Sequence, residues 1–128
     1  MEPCPFCSIP ADRVLLESAV AVACWDAYPV SEGHTLVVPR RHVASVFGLS
    51  PTEQQELWGL LARVREALNE RLRPDGFTIG INDGAAAGQT VGHAHIHVIP
   101  RRKGDVPDPR GGIRWVIPAK AAYRSQHE

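Results

Sequence analysis

Cysteine is scarce in this 128-residue chain, with three residues in all. An odd, sparse set cannot make a disulfide framework, and it leaves Cys4-x-x-Cys7 to be read as metal or redox chemistry. Net charge is also missing, because 14 Lys and Arg balance 14 Asp and Glu. That balance argues against a general nucleic-acid-binding surface and against a basic, membrane-seeking protein. No apolar run approaches the roughly 18 residues of a membrane span, and Met1-Glu2-Pro3-Cys4-Pro5-Phe6-Cys7 lacks the basic and apolar regions of a secretory leader. The expectation is a soluble, cytoplasmic protein. A chain of this length buries about two-thirds of its unfolded surface and needs no disulfide to fold, so one domain is expected over residues 1–128.

The pattern along the chain is that of an α+β domain. Residues 13–18 and 19–25 read as two Val-rich strands forming a hairpin, and residues 34–39 as a third strand ended by Pro39. Ser50-Pro51-Thr52-Glu53 offers an N-cap, a proline at the first helical position and a glutamate at the third, a capping-box start. Leu57, Leu60, Leu61, Val64, Leu68 and Leu72 then recur at helical spacing until Pro74-Asp75-Gly76 ends the helix near Arg73. Residues 77–82 and 95–100 read as the fourth and fifth strands, joined by a loop rich in Ala and Gly. Strands clustered around one dominant helix, without β-α alternation, predict a mainly antiparallel five-stranded sheet. The core is expected over about residues 4–102, with residues 103–128 an irregular C-terminal arm.

Half of the six histidines lie at His93, His95 and His97. On a strand the side-chain period is two, so the three imidazoles would share one face while Ala94, Ile96 and Val98 enter the core. A solvated stripe and a His-rich metal tract are the alternatives to a catalytic cleft. Chemistry is favoured, because imidazole is the side chain whose ordinary pKa, about 6.5, places both nucleophile and proton donor within reach near neutrality.

The segment Gly88-Gln89-Thr90-Val91-Gly92-His93-Ala94-His95-Ile96-His97-Val98-Ile99-Pro100-Arg101 resembles the signature of the histidine triad (HIT) family. Asp26, Pro29 and the stretch from Gly33-His34-Thr35 to Arg40-Arg41-His42 are similar to that family's nucleoside-binding strand and turn. The likeness spans about residues 4–102 and implies a HIT-like fold with one long and one short helix, dimerising into a continuous sheet. It also implies nucleotidyl transfer or hydrolysis at the α-phosphate of a nucleotide, with His93, His95 and His97 as the catalytic set, His95 as the nucleophile, His93 aligning it, and His97 and His34 around the phosphate oxygens. Such a nucleophile needs one ring nitrogen held by a hydrogen bond, and a backbone carbonyl would serve. Phosphoryl transfer gains mostly from donors aimed at charged oxygens. Gly88, Gln89, Thr90 and Val91 are expected to supply them without a catalytic metal. Asp26 could accept from ribose hydroxyls or simply stabilise its turn, and Asn82 could bind ribose or phosphate.

Cys4-x-x-Cys7 alone leaves a redox pair, a zinc half-site and chance open. In several bacterial HIT proteins, and in galactose-1-phosphate uridylyltransferases, a similar pair is joined by two histidines, which correspond here to His42 and His93. The resemblance therefore implies a structural zinc on Cys4, Cys7, His42 and His93, leaving His95 free. Cys24, among Ala and Val, reads as a buried hydrophobe.

The expected partner is a nucleotide, an adenine nucleotide first, with no nucleic acid and no membrane, and the expected assembly is a homodimer. Asn82-Asp83-Gly84, Gly88-Gln89-Thr90-Val91 and the Pro100-Arg101 ending resemble the dinucleoside polyphosphate branch, with Arg101, Arg102, Lys103, Arg110 and Arg114 either available to a polyphosphate or part of a solvated loop balanced by Asp105 and Asp108. An adenosine phosphoramidate hydrolase, a nucleotidyltransferase and a nucleotide sensor with little turnover are the competing functions.

Overall fold

A computed structural model describes residues 4–122. Its strands are β1 (Val14–Glu17), β2 (Ala21–Trp25), β3 (Thr35–Pro39), β4 (Gly76–Ile81) and β5 (Ile96–Arg101), with helix α1 (Pro51–Leu72) between β3 and β4 and a short helix α2 (Pro118–Ala121) at the end. Every strand pair is antiparallel, in the order β1-β2-β3-β5-β4. Thus β3 and β5 are central neighbours, with Leu36 opposite His97, although the long helix separates them in sequence.

The capping box at the start of α1 forms as its sequence requires. The Ser50 hydroxyl accepts from the Glu53 amide at 3.1 Å, and the Glu53 carboxylate accepts from the Ser50 amide at 2.8 Å. Arg41 grips the same carboxylate at 2.9 and 3.2 Å, and this contact, aided by Ser50, holds the Glu53 pKa down to about 2. The helix ends at Arg73, a C-cap in the left-handed conformation with φ of 47°. Leu57, Leu60, Val64 and Leu68 are buried against Ala21, Ala23, Val37, Ile96 and Val98 of the sheet. Each buried aliphatic side chain of this size contributes roughly 1.5–3 kcal/mol.

The opposite face of the sheet carries a smaller cluster, in which Cys24, Leu36 and Val38 pack with Phe6 and Ile9. Cys24 is a fully buried hydrophobe. This is the face that bears the histidines.

The histidine stripe departs from a simple strand. Pairing of β5 with β3 stops at Val37 opposite Ile96, so only His97 lies within a strand and His93 and His95 precede it. Pro39 has no N–H for the ladder, and its carbonyl is taken by the His93 ring at 2.7 Å. Ala94 instead donates to the Val43 carbonyl at 2.7 Å. The expected alternation survives, because Ala94, Ile96 and Val98 are buried on the helix side.

Beyond β5, residues Gly112–Val116 form a 3-10 turn leading into α2. Arg102 donates to the carbonyls of Arg73 and Leu72 at the C-terminus of α1, tying this segment to the core. Residues 1–3 and 123–128, the ends of the expected domain and arm, lie outside the described part. Among the described residues, no helix is long and apolar enough to cross a membrane.

Candidate active site and metal centre

Four segments converge above the β3/β5 face. The turn after β2 brings Asp26, the residue before β3 is His34, β5 and its approach supply His97 and His95, and the loop after β4 supplies Asn82, Gly88, Thr90 and Val91. With Pro5, Phe6, Tyr28 and Leu36 they enclose a cleft of about 440 Å³, within the range of small-molecule sites.

His95 is held where a nucleophile should be. Its Nδ1 lies 2.9 Å from the His93 carbonyl, which can only accept, so in the neutral ring the proton sits on Nδ1 and Nε2 keeps its lone pair. Phe6 packs on this ring at 4.9 Å between centroids, and His97 follows at 5.2 Å. His97 Nδ1 is 3.0 Å from His34 Nε2, which is also 3.3 Å from an Asp26 oxygen. Burial pushes the pKa of His97 down, helped by the neighbouring His95 and His34. Burial likewise lowers that of His34 against the opposing pull of Asp26. In both rings burial favours the neutral form.

His93 belongs to a different cluster. Its ring is fully buried, which lowers its pKa, and Nε2 donates to Pro39, so Nδ1 carries a lone pair. That nitrogen lies 3.1 Å from His42 Nδ1, 3.4 Å from Cys4 Sγ and 3.6 Å from Cys7 Sγ, while Cys7 Sγ is 3.2 Å from His42 Nδ1. A tetrahedral zinc with nitrogen ligands near 2.05 Å and sulfur near 2.3 Å has edges of roughly 3.3–3.8 Å. The spacing and the donor types fit that ion. The adjacent Cys4 thiol raises the pKa of Cys7 through a hydrogen bond, a crowding of incipient anions that a bound cation relieves.

Gln89 has a task other than the expected one. Its amide nitrogen donates to the Ala44 and Val91 carbonyls at 2.8 and 3.0 Å, and its oxygen accepts from the Gly84 amide at 2.8 Å. All of this braces the loop, and Gln89 does not line the cleft. The Gly88 and Gln89 amides also turn inward, to the Ala85 and Gly84 carbonyls. Asp26 keeps its turn, accepting from the Tyr28 amide at 2.8 Å, while its second oxygen faces His34. None of the five arm cations lines the cleft. Arg101 pairs with Asp105 at 2.7 Å, Arg102 caps α1, and Arg114 donates to the Lys120 carbonyl at 2.7 Å.

Arg13 and Phe6 are among the lining residues outside the expected set. Arg13 reaches the cleft with its guanidinium on the Trp25 carbonyl at 2.7 and 3.2 Å. Phe6 sits between the two cysteines, and its place on His95 follows from the cysteine turn folding over β3, a contact with no local signature.

The fold and cleft define a class: a small antiparallel α+β protein whose paired imidazoles stand over the sheet beside a Cys/His cluster. The HIT domain family model matches residues 9–104, and the chain belongs to that family. It is 40% identical over 93 residues to a bis(5'-adenosyl)-triphosphatase of Dictyostelium discoideum, covering 73% of this chain and 62% of that protein. It is 36% identical to an asymmetrical bis(5'-nucleosyl)-tetraphosphatase of Schizosaccharomyces pombe, covering 73% of this chain and 51% of that protein. The chain thus spans less than two-thirds of the length of these two relatives. Among solved structures, a zinc-bound histidine triad family protein from Mycobacterium smegmatis superposes with a TM-score of 0.71 at 36% identity, covering 91% of each chain.

Proposed function

We propose that this chain hydrolyses dinucleoside polyphosphates at an α-phosphate, through a nucleotidyl group carried on His95, and releases AMP from diadenosine substrates. The observation that carries the reading is the His95 Nδ1 contact to the His93 carbonyl, which makes Nε2 the lone-pair nitrogen of the neutral ring that lines the cleft. In the first step Nε2 attacks phosphorus, a P–N bond forms, and the P–O bond to the departing nucleotide breaks with its electron pair on oxygen. In the second step water attacks phosphorus, the P–N pair returns to imidazole, and the water proton passes to solvent. Splitting one hard displacement in two is the gain of covalent catalysis.

His97 stands next to His95 to donate to the phosphate oxygens, with His34 behind it. Thr90, Val91 and Gly88 wall the phosphate end, and Asp26 and Asn82 lie where ribose would sit. Support for the substrate comes from the two relatives named as a triphosphatase and a tetraphosphatase.

Cys4, Cys7, His42 and His93 would hold a zinc ion. When bound, it pins the amino-terminal turn and the His93 main chain, and it takes no part in bond making. A homodimer belongs to the same reading, for which exposed Trp58, Trp115 and Val116 offer apolar surface. The test is AMP release from diadenosine triphosphate, diadenosine tetraphosphate and an adenosine phosphoramidate. Turnover of the polyphosphates ahead of the phosphoramidate supports the reading. Tight AMP binding with no turnover of any of the three overturns it in favour of a sensor.

A further inference from the structure

We infer that Asp26 is a positioning residue for His97, acting through His34: together with the Val30 amide it fixes which nitrogen of each ring carries the proton. This rests on the hydrolytic reading only for its kinetic consequence, because the hydrogen-bond directions follow from the chain's own groups.

The Val30 amide donates to His34 Nδ1 at 3.1 Å. An amide N–H can only donate, so Nδ1 is unprotonated and the neutral ring carries its proton on Nε2. That proton is directed to His97 Nδ1 at 3.0 Å, and the Asp26 carboxylate lies 3.3 Å from the same nitrogen, where its charge favours a proton on Nε2. Since His97 Nδ1 must accept, its own proton is placed on Nε2, the nitrogen on the other edge of a ring that lines the cleft. The result is a one-way chain, from Val30 through His34 to His97, ending in an N–H donor beside the nucleophilic His95. His34 is 4% exposed and the Asp26 side chain 14%, so water screens this carboxylate from the ring only weakly.

Asp26, His34 and His97 also present three ligand-type atoms within 4.8 Å. A metal at His34 Nε2 would require that ring to be an imidazolate, because Nδ1 is already an acceptor. A hydrogen-bonded relay is the reading the Val30 contact allows.

The Tyr28 amide supplies a sharp test. It requires an oxygen at one Asp26 position, where the distance is 2.8 Å. In Asp26→Asn that demand holds the oxygen there and turns the amide NH₂ toward His34 Nε2–H, setting donor against donor. Asp26→Ala removes the acceptor without inserting a donor, and a water can take its place. A residue that only bound ribose would behave in the reverse order, since Asn still hydrogen-bonds a hydroxyl and Ala does not.

Histidine-labelled protein without nucleotide is examined by ¹⁵N–¹H NMR at pH 7.5 as wild type, Asp26→Asn and Asp26→Ala, each first shown to fold by circular dichroism. The wild type should show His34 and His97 as Nε2–H tautomers, and Asn should disturb both rings more than Ala does. With diadenosine triphosphate, kcat should fall in the order wild type, Ala, Asn, with Asn down on the order of 10- to 100-fold. An Nδ1–H tautomer at His34 or His97 in the wild type, or rings untouched by Asn, overturns the inference. So does a kcat lower for Ala than for Asn. If the wild type turns over no nucleotide, the hydrolytic reading fails while the ring signals still decide this one.

Discussion

His93 and His95 sit two residues apart yet should fail in different ways when removed. The His93 ring is fully buried, donates at 2.7 Å to the Pro39 carbonyl and faces Cys4, Cys7 and His42. His93→Ala opens a cavity and orphans that carbonyl, a cost of about 2–4 kcal/mol. The His95 ring is half-buried and keeps one hydrogen bond and the Phe6 contact. His95→Ala should cost about 1 kcal/mol. The assay is urea unfolding in the presence of a chelator and again with zinc at about 100 times its dissociation constant, where binding to the folded state adds about 2.7 kcal/mol. Wild type and His95→Ala should gain that increment, and His93→Ala should not. Equal destabilisation by the two substitutions, or full zinc stabilisation of His93→Ala, would refute the division of labour between these neighbours.

Three further outcomes follow from local geometry. Gly33 has φ of +88° with the Leu72 and Pro100 side chains against the place of a Cβ, so Gly33→Ala should lower thermal stability by about 2 kcal/mol or more. Gln89→Ala releases three hydrogen bonds from the 84–91 loop, and should speed amide exchange at Gly84 and weaken AMP binding about tenfold, or 1.4 kcal/mol. The Glu53 pKa is depressed from 4.5 to about 2, so its stabilising contribution is complete above 4.5 and lost as pH falls toward 2. Arg41→Ala should flatten acid unfolding across that window.

The elements were legible where local physics decides. The capping box and the leucine spacing of α1 specify a helix in isolation, and the observed span of Pro51–Leu72 ends one residue from the expected stop. The antiparallel sheet followed from the absence of β-α alternation, and the likeness to HIT proteins brought the histidines together. What remained illegible depends on partners far along the chain. His93 leaves the strand because Pro39, 54 residues away, supplies a carbonyl instead of a ladder N–H. Gln89 turns inward because Ala44 waits behind the loop, 45 residues off. Of the two readings of the arm cations, the loop balanced by Asp105 and Asp108 is the one whose ion pairs form, Arg101 with Asp105 and Arg110 with Asp108, while Arg102 finds the end of α1.

The nucleophilic role of His95 is tested most directly at phosphorus itself. A dinucleoside polyphosphate made chiral at the α-phosphorus with sulfur is hydrolysed in ¹⁸O water, and the configuration of the AMP thiophosphate is read. Two in-line displacements, one by His95 Nε2 and one by water, each invert the centre, so net retention is expected. Net inversion would mean that water attacks the substrate directly, and that the imidazole held by the His93 carbonyl is not the group that forms the bond.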